Sequence, residues 1–182
     1  NFKDNIGLNL KNQFLEKHEV FRGLDYGHPE PFYLVGEPVF RRNFCPLHPH
    51  IVWVSDFTYI RFQDTFIYLA TVMELFTREI LGWNISRFHN QALVADALVD
   101  ACNRTKNSPL YLHCDQGSEY DSEDYLEKLI ESQIIISMSK KGHPWENGFQ
   151  ESFYSQFKLD LGSPDQFVTL GELIEAIYLQ IN

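Results

Sequence analysis

Three acidic residues, Asp56, Asp115 and Glu151, are the ones whose type and spacing could do chemistry. Asp56 lies inside the strand-like run 51–60, and Asp115 ends a second such run, 110–115, with Gly117 close behind. Glu151 follows Asp115 after an interval of thirty-five residues and falls on a predicted helix that opens near Gly142-His-Pro144. Taken singly, each has a bland reading: a strand-end Asp, an ordinary Asp-Gly turn, a solvated helix Glu. Brought to one point, they would be hard oxygen donors suited to Mg²⁺ or Mn²⁺. Two such ions can clamp the attacking and leaving oxygens of a phosphoryl transfer.

Something must deliver these carboxylates, and the hydrophobic pattern says what. Strands are predicted over 51–60, 65–76 and 79–87, with Gly82 marking a bulge or a close approach. A helix follows Asn90 as N-cap and carries Ala92, Leu93, Ala95, Ala97, Leu98 and Ala101. A fourth strand covers 110–114, a helix capped by Ser122 carries Tyr125, Leu126, Leu129 and Ile130, and a fifth strand covers 133–138. Short links among the first three strands suit antiparallel hairpins, whereas the intervening helices suit crossovers between parallel strands. The result is a five-stranded mixed sheet flanked by helices, an α/β fold.

The helix bearing Glu151 can be laid out at one hundred degrees per residue. Phe149, Phe153, Phe157 and Leu161 then form an apolar stripe, and Asn147, Glu151, Ser155 and Lys158 group opposite. Pro144 fits the first turn, where its missing N–H costs little. Thr169-Leu-Gly-Glu172 reads as a capping box, and Leu170, Leu173, Ile174, Ile177, Tyr178 and Ile181 make a final helical stripe, expected to pack on the core.

Composition narrows the possibilities. A chain of 182 residues with 44% apolar content can bury one core. No run approaches a membrane span, and the start shows no secretory h-region. Three scattered cysteines, Cys45, Cys102 and Cys114, favour a reducing compartment over a disulfide framework. The segment Cys45-Pro-Leu-His48-Pro-His50 lacks a second Cys pair and reads as a Pro-rich linker rather than a zinc site. Residues 1–50, with a short helix over 9–21 and many Gly and Pro, read as an arm leading into a core at 51–182. The missing initiator Met and a helix running to Asn182 suggest a C-terminally truncated fragment. A net charge of −10 opposes a simple DNA-binding module, and acid is dense over 115–131. Basic residues gather at Arg41-Arg42, Lys140-Lys141 and Lys158.

Three blocks carry a family resemblance: Trp53-Val-Ser-Asp56-Phe-Thr-Tyr-Ile60, His113-Cys-Asp115-Gln-Gly-Ser-Glu-Tyr120, and Ser137 through Phe153 with Asn147 and Glu151. In order and in their last interval they resemble the catalytic core of bacterial insertion-sequence transposases, the branch similar to retroviral integrases with a D,D(35)E signature. The resemblance spans about residues 40–182. It departs at Gln116, where the family usually has Arg, and at Glu146-Asn-Gly148, often Asp-Asn-Ala, and leaves the three carboxylates intact. It implies the ribonuclease H-like architecture, which the mixed sheet suggests independently. It also implies metal-dependent 3′-end cleavage and strand transfer with two Mg²⁺ or Mn²⁺ ions on Asp56, Asp115 and Glu151. Lys158 then becomes a DNA-phosphate contact and Asn147 a polar contact to the DNA end. Lys140 and Lys141 fall in a loop that could touch DNA or be merely solvated. The partners implied are element ends and target DNA, with a homodimer or higher oligomer in the active complex. The place implied is the bacterial cytoplasm, at the nucleoid when active. Two other readings stand beside this one: a ribonuclease H-like nuclease that only hydrolyses, and an inactive domesticated fragment serving as an interaction module.

Overall fold

The computed structural model describes residues 46, 48–115, 117–120, 125, 128–129, 132–139 and 147–182. The arm predicted over 1–50, most of the helix predicted after Ser122, and the 140–146 loop with Lys140, Lys141 and Pro144 therefore lie outside or largely outside the described residues.

Five strands form one sheet: β1 (Val52–Phe62), β2 (Thr65–Glu74), β3 (Ile80–Ser86), β4 (Tyr111–Cys114) and β5 (Ile135–Met138). The spatial order is β3-β2-β1-β4-β5. β1 pairs with β2, and β2 with β3, antiparallel; β4 runs parallel to β1 and β5 parallel to β4. Both predicted kinds of connection are thus present: hairpins on one side of β1, crossovers on the other. The first hairpin turns tightly, with Phe62 opposite Thr65 and Gln63 at a φ of 52°.

Helix α1 (Gln91–Thr105) links β3 to β4. Asn90 caps it by accepting the Leu93 N–H, and Lys106 ends it in the left-handed conformation at a φ of 56°. Its buried Leu93, Val94, Ala97, Leu98 and Ala101 pack on Trp53, Ala70, Val72 and Leu112 to form the core on one face of the sheet. Gly82 explains itself here. A Cβ on it would stand 2.2 Å from the Ala101 nitrogen and 2.6 Å from the Ala97 oxygen, so only a glycine lets β3 approach α1 this closely. The register of β2 with β3 also shifts between Val72 and Met73, beside Gly82, so the expected bulge and the expected close approach coincide.

The opposite face is covered by α2 (Gly148–Leu161) and α3 (Leu170–Ile181), joined through a 3-10 turn at Pro164–Gln166. Ile60, Phe62, Ile67 and Leu69 of the hairpin meet Phe157, Leu161, Leu173 and Ile177 there. The α3 capping box forms as expected: the Thr169 hydroxyl accepts the Glu172 N–H, and the Glu172 carboxylate accepts the Thr169 N–H. Leu173 and Ile177 are fully buried, so this helix completes the core, leaving Ile174 and Tyr178 exposed.

One expectation needs correction. The buried stripe of α2 is Gln150, Tyr154, Phe157 and Leu161: the last two are as expected, but Gln150 and Tyr154 take the inner places expected for Phe149 and Phe153. Phe149 is 39% exposed, with the Arg78 guanidinium 3.6 Å above its ring, and Phe153 is only partly covered. Gln150 and Tyr154 win the inner face because their polar tips reach buried hydrogen-bond partners on the sheet that a phenylalanine cannot satisfy. Asn147, expected on the outer polar face, is also buried.

Candidate active site

β1 pairs with β4 in register at Val52–Tyr111, Trp53–Leu112 and Val54–His113. The same offset, continued by two residues, sets Asp56 opposite Asp115. Side chains alternate along a strand, so Asp56 shares a face with Val54 and Ile60, and Asp115 shares it with Tyr111. That face is the one covered by α2 and α3, since Val54 and Tyr111 join one apolar cluster there and Ile60 joins the other. The pairing itself ends at Val54–His113, but the shared face and the influence of the Asp115 charge on the Asp56 carboxyl put the two near one another. β4 stops at Cys114, which frees Asp115 from the ladder at the point where it meets Asp56.

Both carboxylates are held from behind. Asp56 Oδ1 accepts the Phe57 N–H at 2.8 Å, and Asp115 Oδ1 accepts the Gly117 N–H at 2.9 Å. Burial pushes the Asp56 carboxyl up to about 7, the Phe57 N–H partly opposing this, with the Asp115 and Glu151 charges adding to the rise. Burial likewise raises Asp115, against the Gly117 N–H and with help from the Glu119 charge. Glu151 stands exposed in the first turn of α2, the end of a helix that favours negative charge. Asp56 therefore feels both other members of the predicted triad.

Among the described residues no group of three or more His, Cys, Asp or Glu side chains is placed to hold a metal ion, so Glu151 is not gathered with Asp56 and Asp115 into one three-carboxylate site. That is compatible with Mg²⁺, which keeps several waters and binds through one or two carboxylates plus substrate phosphates. The donor set fits such an ion: all hard oxygens, with two like charges whose mutual repulsion a cation would relieve.

α2 is fastened to β1 at this point by a buried polar clamp. Gln150 Nε2 donates to the Val54 carbonyl at 2.9 Å, and Tyr154 donates its hydroxyl to the Asp56 carbonyl at 2.7 Å. Thr71, opposite Asp56 on β2, donates to Gln150 Oε1 at 3.1 Å and lies 2.8 Å from the Tyr154 hydroxyl. Gln150 is the neighbour of Glu151, so the clamp sets where Glu151 stands over the sheet. Spacing could have revealed it: Gln150, Tyr154, Phe157 and Leu161 recur at helical intervals as regularly as the phenylalanines do.

The remaining predicted residues are placed unevenly. Lys158 is exposed on α2, its ammonium 4.8 Å from the centre of the Tyr59 ring, and partial burial lowers its pKa. Asn147 caps α2 without a side-chain hydrogen bond, and its buried Oδ1 has no partner. Lys140 and Lys141 lie outside the described residues. Two residues that the sequence did not single out lie near the turn after Asp115: Glu119 accepts from the His89 Nδ1–H at 3.1 Å, and burial would raise its pKa but the His89 and Ser118 hydrogen bonds lower it on balance.

Residues 46–144 match the integrase core domain family. The transposase for insertion sequence element IS904 of Lactococcus lactis is 37% identical over 178 residues, covering 97% of this chain and 67% of that protein. The InsF transposase for insertion sequence IS3A of Escherichia coli is 32% identical over 136 residues. This match covers 74% of the chain but only 47% of InsF, so the chain spans about half the length of that relative. Among solved structures, a chain of the simian T-cell lymphotropic virus intasome in complex with a PP2A regulatory subunit aligns with a TM-score of 0.66 at 16% identity, over 84% of this chain and 53% of that one. The HTLV-2 integrase catalytic core domain in complex with magnesium, in its dimeric form, aligns with a TM-score of 0.53 at 18% identity, over 72% and 85%. These likenesses bear on the fold, and they agree with the ribonuclease H-like sheet described above. With the family match over more than half of its length and transposase relatives at these identities, the chain belongs to the integrase core domain family, within the transposase and integrase class of polynucleotidyl transferases.

Proposed function

We propose that this chain is the catalytic core of an insertion-sequence transposase that cleaves DNA at the element's 3′ ends and joins those ends to target DNA. The observation that carries this reading is the shared face and register of Asp56 and Asp115 under the helix bearing Glu151, in a chain of this family. Asp56 and Asp115 would hold one Mg²⁺ or Mn²⁺, and Asp56 with Glu151 a second. Bound there, the ions supply charge stabilisation for attacking and leaving oxygens.

The chain's own residues do the positioning. The Phe57 and Gly117 N–H groups fix one oxygen of each Asp. The Gln150–Tyr154 clamp fixes the height of Glu151. Lys158, seven residues and so about 10 Å along α2 from Glu151, meets the phosphate backbone of the bound end. In the first step water attacks the end phosphodiester, the P–O3′ bond breaks, and a 3′-hydroxyl is released. In the second that hydroxyl attacks a target phosphodiester and displaces a target 3′ oxygen. Each step exchanges one P–O bond for another, so positioning and electrostatics can carry most of the catalysis.

Joining paired ends calls for at least two copies, and the HTLV-2 core is known in dimeric and trimeric forms. Work on chromosomal DNA implies the bacterial cytoplasm at the nucleoid. The test is a cleavage and strand-transfer assay on element ends with the complete transposase and its Asp115→Asn variant. Loss of both steps with unchanged melting supports the reading. Wild-type cleavage by the variant overturns it, and cleavage without joining by the wild type would make the protein a nuclease.

A further inference from the structure

β4 pairs only with Val52–Val54, and β1 runs on to Phe62, so the β1–β2 hairpin extends past its parallel neighbour. α1 covers the sheet face near Trp53, Ala70 and Val72, with Phe57 and Tyr68 partly buried beside it, and farther out on that face Tyr59 and Phe66 are exposed. Alternation puts Phe57, Tyr59 and Arg61 on this face, and their cross-strand partners Ala70, Tyr68 and Phe66 lie beside them. Tyr59 is 59% exposed and Phe66 46%, their rings edge to face at 5.4 Å. The segment entering α1 adds the ring of His89, which lies 4.9 Å from Tyr68 and nearly parallel to Phe57 at 6.4 Å.

This strip is not randomly placed. Its inner end is Phe57, whose N–H holds the Asp56 carboxylate, and His89, which is bonded to Glu119 in the turn after Asp115. Two cations border it although the chain is strongly acidic: Lys158 reaches the Tyr59 ring across the open edge of β1, and exposed Arg61 lies at the outer end opposite Phe66. Exposed rings interleaved with Lys and Arg are what an unpaired nucleic-acid strand requires, its bases stacking while its phosphates meet the cations. A fully paired duplex hides its base faces and would gain nothing from the rings.

Resting on the reading of the chain as a DNA strand-transfer core, we propose that this aromatic face is a track for unpaired bases, so that a DNA end held on the carboxylate face continues, with its last pairs opened, around the edge of β1 that β4 leaves free. The rings take the displaced bases, and Lys158 and Arg61 take the phosphates between them.

The test uses the 182-residue chain and two labelled DNA probes of equal length, one blunt and one with unpaired thymines at one end, titrated at matched salt by fluorescence anisotropy. The open-ended probe should bind more tightly. Tyr59→Ala and Phe66→Ala should each weaken it roughly 5- to 150-fold, the range expected for one lost base stack, and leave the blunt probe unchanged. Tyr59→Phe should retain binding because the ring remains. Both positions are exposed, so neither change opens a core cavity. Equal loss on both probes, or no loss on the open-ended one, overturns the proposal. So does a change in the sedimentation of the DNA-free chain on Tyr59→Ala, which would make the face an interface between copies. If the wild type binds the blunt probe and only the ring effects fail, or if it binds neither probe, the track is wrong; the DNA-core reading is decided separately, by the cleavage and strand-transfer assay with the complete transposase.

Discussion

The Tyr154 hydroxyl donates to the Asp56 main-chain carbonyl at 2.7 Å, tying the helix that carries Glu151 to the strand residue that carries the most perturbed carboxylate. Tyr154→Phe should therefore act on both stability and chemistry. It strands a buried carbonyl, which costs about 1–3 kcal/mol, measurable by urea denaturation. It also loosens the height of Glu151, so strand transfer should slow several-fold with little change in DNA affinity. Unchanged turnover at saturating DNA would show that the clamp is only structural.

The raised Asp56 carboxyl predicts the pH dependence of the metal-free chain. The folded state binds this proton more tightly than the unfolded state, about 7 against 3.8. Its penalty is absent below about pH 4 and complete above about pH 7, so stability falls as pH rises between them. At about 1.4 kcal/mol per pK unit the loss is on the order of 4 kcal/mol. Melting in EDTA should show this fall, and Asp56→Asn should remove it and melt higher at pH 8. Mg²⁺ should restore the wild type at pH 8 and leave the variant unmoved. A wild-type profile that matches the variant's would refute the assignment.

Gly117 offers a way to move one carboxylate by a small step. A Cβ there would stand 3.0 Å from Asp115 Oδ1 and 2.9 Å from Glu119 Oε2, both side-chain atoms that can yield. Gly117→Ala should shift the melting temperature by only a few degrees but cut turnover at least tenfold, because what yields is the metal-binding group. Normal turnover would mean that the Asp115 position tolerates displacement.

Lys158→Ala should weaken binding to element ends and reduce the slope of log affinity against log salt by about one, the signature of one lost phosphate contact. The exposed side chain leaves no cavity, so melting should change little. An unchanged salt slope would remove Lys158 from the interface.

Much of this was legible in the sequence because it rests on period and order. The five strands, the Asn90 cap, the Thr169 capping box and the division between antiparallel hairpins and parallel crossovers all have local causes. The face of α2 was not legible from hydrophobicity alone. Phe149 and Phe153 look like core, yet the sheet below offers carbonyls and the Thr71 hydroxyl, so Gln150 and Tyr154 go in. That choice depends on what lies across the interface, which no window along the chain contains. The shared face of Asp56 and Asp115 had the same character, since it follows from the register of β1 with β4.

The short reach of β4 has a cost as well as a use. Beyond Val54, among the described residues, the far edge of β1 presents main-chain donors and acceptors to no neighbouring strand. Such an edge invites a strand from another molecule and is a route to aggregation. The exposed Arg61 and the Lys158 ammonium lying across that edge are the kind of charge that discourages such pairing. Neutralising both at once would leave an apolar, hydrogen-bond-hungry border, and self-association rather than unfolding would be the first symptom.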